Sequence, residues 1–117
     1  MPVNVLENAH LLEESLRNSV EFLQLKELYK ELQKDEEAKQ LFDQFRGIQL
    51  KLQEKQMANM PIEEEEVIQA QQLVAAVQQN EKIVALMEAE QKMSNVIMEI
   101  NKIVMKPLEK LYSGQED

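Results

Sequence analysis

Two stretches of this chain place an apolar residue every three or four positions behind a helix-capping side chain, a pattern that admits little besides long helices. The first runs from Asp35 to about Ala58 and carries Ala38, Leu41, Phe45, Ile48 and Leu52 in heptad-like register. The second runs from Asn80 to about Lys106 and carries Leu86, Ala89, Met93, Val96, Ile100 and Ile103. Asp35 and Asn80 each supply a side-chain oxygen for the free N–H groups of a first helical turn, and Glu36 and Glu81 follow where the helix dipole favours acid. Such seams predict an all-α fold built on a long antiparallel helical hairpin. Each arm buries one stripe against the other and keeps apolar flank for a further subunit.

The remainder of the chain fits the same class. Asn4 is placed to cap a helix to about Arg17, carrying Val5, Leu6, Ala9, Leu12 and Leu16, and Ser19 a second one to about Lys34, carrying Phe22, Leu25, Leu28, Tyr29 and Leu32. Pro61 breaks the chain after the first arm, and a shorter helix with Val67, Ala70, Val74 and Val77 ends near Gln79. The four acids Glu63 to Glu66 read as an acidic first turn of that helix in preference to a cation site. Pro107 is expected to kink or end the second arm, and Ser113-Gly114 to close the last turns. With only two glycines and 4% aromatic residues there is little material for β-hairpins. The organisation expected is one helical domain, 1–114, with a disordered tail at 115–117.

Several kinds of chemistry lack the residues they need. No cysteine is present, so thiolate zinc sites, cysteine-held clusters, disulfides and cysteine nucleophiles are excluded. Glu7 and His10, the only histidine, have the Glu-x-x-His spacing of di-iron bundles, but the seams offer no further glutamates, which leaves a surface histidine. No glycine-rich phosphate loop or nucleophile–base arrangement occurs, and Glu88 and Glu90 point to different helix faces. A formal charge of −9 opposes direct nucleic-acid binding, because affinity there comes from neutralising phosphates. No secretory signal or membrane span is apparent, so the expectation is a cytoplasmic protein without enzymatic activity, cofactor or membrane association.

What remains is binding. Phe42, Phe45, Gly47, Ile97, Ile100, Asn101 and Val104 are the candidate oligomer or partner interface. Phe42, Ile97 and Val104 widen the seams beyond a two-helix contact. Gly47 marks either simple tolerance or the close approach of another helix. Asn101, between Ile100 and Ile103, is either exposed or a buried polar group that fixes helix register. Methionines at helical spacing, among them Met87, Met93, Met98 and Met105, read as core filler or as a pliable docking face.

The stretches Phe42–Arg46, Lys55-Gln56-Met57, Gln69-Ala70-Gln71, Leu86–Gln91, Asn101-Lys102-Ile103 and Met105–Glu109 resemble the YheA-like members of the YlbF/YmcA family of small helical proteins from Gram-positive bacteria. The resemblance covers Val3 to Tyr112 and implies a helical hairpin subunit that forms dimers or larger homo-oligomers. The two proteins that give the family its name are implicated in competence, biofilm formation and sporulation through a complex that influences RNA maturation and carries cysteine-held iron–sulfur clusters. Without cysteine, this chain cannot hold such a cluster. The expected function is a non-catalytic interaction protein, adaptor or regulator, with an unidentified protein partner. A holdase-like helical chaperone is the alternative, and an RNA-processing regulator without an iron–sulfur cluster a third reading.

Overall fold

Helices begin where the capping side chains stand. The computed structural model describes residues 4–114 and contains α1 (Val5–Arg17), α2 (Val20–Lys34), α3 (Glu36–Met57), α4 (Glu64–Gln78) and α5 (Glu81–Tyr112). Asn4, Ser19, Asp35 and Asn80 each accept from the backbone N–H three residues ahead, at 3.1, 3.2, 3.1 and 3.1 Å. Each bond satisfies one of the donors that a helix start leaves without a partner. Among the described residues there is no strand, as the seams require. The expected tail at 115–117 lies outside the described residues.

The end of α3 explains the break before Pro61. Asn59 adopts a left-handed backbone with φ of 54°. Its N–H donates to the Gln56 carbonyl at 3.3 Å, and that of Met60 to the Lys55 carbonyl at 2.8 Å. That pair of bonds is a Schellman closure, and asparagine tolerates the left-handed geometry better than most side chains. Pro61 follows, unable to resume the helix.

Pairing among the helices differs from the hairpin that the seams suggest. α5 finds its main partner in α2, and α3 in α4, while the two long helices meet only briefly. The cause lies in the connector. α4, about 22 Å long at 1.5 Å per residue, carries the chain back along α3 to its start, so both long arms leave the same end of the molecule. The antiparallel pairs are therefore α3 with α4 and α2 with α5.

The core sits at that shared end. Leu32 of α2 and Ile83 and Leu86 of α5 are fully buried, and Ala38, Phe42, Phe45 and Val77 join them in one cluster. Lys82 Nζ reaches Asp35 Oδ2 at 3.0 Å, tying the α2–α3 turn to the first turn of α5. Arg46 pairs with Glu90 and lies over the Phe42 ring at 4.9 Å, bridging the two long helices just beyond the cluster. Further out the helices diverge, within overall dimensions of 57 × 37 × 19 Å.

Pro107 neither ends α5 nor shortens it, since the helix continues to Tyr112. Proline removes the donor that would reach the Ile103 carbonyl. Ile103 is 67% exposed, so water can reach that carbonyl where a buried helix would leave it unsatisfied. Gly47 likewise resolves toward tolerance within the subunit, because a methyl group built at its Cα meets nothing within 4 Å. Gly47→Ala is expected to stabilise the fold by about 1 kcal/mol, the usual helix-propensity difference. Chemical denaturation should show a raised midpoint at unchanged m-value.

Candidate protein-docking surface

The stripe of α5 that faces α2 does not stop where α2 stops. Leu86, Ala89 and Met93 are buried, and the same face continues through Ile97, Ile100, Val104, Leu108 and Leu111. Along that continuation Ile100 is half-buried, while Ile97 is 41%, Val104 61% and Leu111 60% exposed. Among the described residues this continuation stays largely open to solvent. The second half of the longest helix is thus amphipathic with its apolar side in water.

A second bare face lies on α1. Its helix has no buried residue, and Val5, Ala9 and Leu12 line one side in the open, with only Leu16 partly covered near the junction with α2. α1 touches α2 alone. A third apolar feature is an open cleft of about 320 Å³ between α4 and α5, walled by Phe45, Val74, Val77, Val84 and Met87.

The expected interface residues divide along these lines. Phe42 and Phe45 are 7% and 5% exposed, so their rings are committed to the core of their own subunit. Gly47 and Asn101 are both exposed on the surface of the subunit. Ile97, Ile100 and Val104 share the open stripe of α5. Leu108 and Leu111, beyond the Pro107 at which the second arm was expected to kink or end, extend the same register because the helix runs on to Tyr112.

Electrostatics shape the opposite arm, where α3 and α4 run together. Glu66, 7% exposed, accepts from Lys55 and from the Glu63 backbone N–H at 3.0 Å. Its Oε2 is buried without a hydrogen bond and faces Lys51 Nζ at 3.7 Å. The Lys55 hydrogen bond, then that of Glu63, holds the Glu66 carboxyl below the ordinary carboxylate range. For Asp35 the Ala38 N–H is the larger cause of the same downward shift, followed by Lys82.

These two carboxyls give a signed pH dependence. A group whose pKa is depressed by folding stabilises the folded state above its unfolded value, and that stabilisation is lost as the pH falls through the folded value. Stability should therefore be flat near neutrality and decline once the pH drops below about 4, the ordinary carboxylate range. Urea titrations at stepped pH would show this, with a shallower acid decline in Glu66→Gln; an unchanged acid decline in that variant would remove Glu66 from the account.

Among the described residues no group of three or more His, Cys, Asp or Glu side chains is placed to hold a metal ion, and no helix is long and apolar enough to cross a membrane. What the surface offers is helix faces.

Comparison with known proteins agrees with this architecture. Residues 5–109 match the family described as "Control of competence regulator ComK, YlbF/YmcA". The UPF0342 protein YheA of Bacillus subtilis is 58% identical over 116 residues, 99% of either chain. A solved protein of unknown function (DUF964) from Bacillus stearothermophilus superposes with a TM-score of 0.84 at 44% identity, covering 94% of this chain and 96% of that one. More distantly, Bacillus subtilis RicA, solved in complex with RicF, shares the fold with a TM-score of 0.68 at 20% identity, over 96% of this chain and 99% of that one. On the strength of a family match that spans nearly every helix, and of relatives aligned end to end, the chain belongs to the YlbF/YmcA family and is YheA-like within it.

Proposed function

We propose that this protein is a non-catalytic, cytoplasmic, homo-oligomeric adaptor that acts by docking protein helices on its open apolar faces. The observation that carries this reading is the α5 stripe, buried at Leu86, Ala89 and Met93 and largely open from Ile97 to Leu111. An amphipathic helix keeps such a face because something packs on it, and contiguous apolar surface of this kind marks interaction sites. Support comes also from RicA, whose fold this chain shares and which is solved as a complex with another protein. The family description, control of a competence regulator, fits an adaptor that works through others.

Affinity purification from the native cell, with partners identified by mass spectrometry, tests the adaptor reading: a stoichiometric protein partner supports it. Light scattering on the purified chain at micromolar concentration tests self-association, and a monomer mass would overturn that part. A holdase-like activity is the second reading, favoured by the exposure of Met57, Met60, Met98 and Met105, which are pliable apolar contacts. Suppressed aggregation of unrelated clients, without any stoichiometric partner, would select it over the adaptor.

A further inference from the structure

We infer that the bare stripe of α5 is covered by α1 of a second copy of this chain, in a two-fold exchange that covers both faces on both subunits. This rests on the self-association proposed above and goes beyond it, naming the two surfaces that meet.

A helix of 13 residues such as α1 is marginal in water on its own, and this one buries no residue in its subunit. Its apolar side, Val5, Ala9, Leu12 and Leu16, follows the i, i+4, i+7, i+11 spacing of a docking face. At 1.5 Å per residue it is about 20 Å long. The uncovered part of α5, Ile97 to Leu111, has about the same length. It also continues directly from the surface that α2 covers, so a helix laid there would prolong a packing already made.

Within one chain that prolongation is not made. α1 precedes α2 by only Asn18 and Ser19, yet it turns away and makes no contact with α5. A second copy supplies the missing helix. A two-fold axis then gives each α5 an α1, which an α5-on-α5 contact would not do, since it leaves both α1 helices in water.

Charge points the same way. In α1, Glu7, Glu13 and Glu14 outnumber Arg17, whereas within α5 after Asn95 the lysines Lys102, Lys106 and Lys110 outnumber Glu99 and Glu109 by one. These groups lie mostly off the apolar stripes, so they favour the approach of unlike helices without being part of the seam.

The absence of cysteine makes the test clean. Leu12→Cys in a size-tagged full-length chain is mixed with an untagged chain carrying Ile97→Cys, Val104→Cys or Leu111→Cys, under mild oxidation. All four positions are exposed in the subunit, so the variants should fold as the parent does. The expected result is a mixed disulfide with at least one of the three stripe positions, in excess over both homodisulfides, and loss of that product when Leu11→Cys, on another face of α1, replaces Leu12→Cys. A dimer mass in light scattering with a Val104→Cys homodisulfide as the main product, or with no mixed product at any stripe position, overturns this inference while leaving self-association intact. A monomer mass without cross-linking overturns both.

Discussion

Leu86→Ala should remove a substantial share of this protein's stability at room temperature. Leu86 is fully buried on α5, beside Ile83 and Leu32, in the cluster where four helices meet. Removing a fully buried leucine side chain costs about 2–5 kcal/mol, because lost transfer energy adds to the cavity left behind. A chain of this length has roughly 6–17 kcal/mol in total. The smaller the core, the less its neighbours can collapse into the gap, and this cluster draws together α2, α3, α4 and α5. Urea denaturation followed by circular dichroism should show the midpoint falling by a third or more of its starting value. A shift no larger than that of an exposed control, Leu50→Ala, would mean that the cluster does not govern stability.

The second large effect is expected with no loss of fold at all. Ile97→Asp combined with Val104→Asp should abolish self-association while leaving helicity and subunit unfolding nearly unchanged, because both side chains are already in water within the subunit. In a two-fold assembly each substitution appears twice. Burying an aliphatic side chain of this size contributes about 1.5–3 kcal/mol, so the pair should raise the dissociation constant by at least about a thousandfold. Sedimentation across a concentration series would read this directly. Persistence of the parent's mass would place the contact elsewhere, with the cleft lined by Phe45 and Met87 the next surface to probe.

The local architecture was legible in the sequence to the level of single hydrogen bonds. Asn4, Ser19, Asp35 and Asn80 cap the helices they were expected to cap, because a short polar side chain before an amphipathic run has few better places to put its oxygen. The first seam was legible too, with Ala38, Phe45 and Ile48 buried as its spacing requires. Which helices pair was not. A seam records that a face is covered and is silent about what covers it, so two long seams suggested each other while the return path through α4 gave each a shorter partner. The Lys55–Glu66 contact was hidden for a similar reason: an acid in a first helical turn is already accounted for by the dipole, and nothing local shows that a lysine from the preceding helix lies against it.

The same ambiguity governs the candidate surface. Phe42 and Ile97 look alike in sequence, each an apolar residue flanking a heptad pattern, yet the first fills the core and the second faces solvent. The difference is their distance from the place where the helices converge. Pro107 hid a further part, since proline usually ends a helix and here it only thins the hydrogen bonding of one that continues to Tyr112.

Placing the tightly packed cluster at one end makes the rest of α5 a lever. From Met93 to Tyr112 the helix projects about 28 Å, at 1.5 Å of rise per residue, so a tilt of roughly 10° at its base displaces the tip by roughly 5 Å. Substitutions among the packed side chains at the root can therefore re-aim the outer stripe without altering one atom of it.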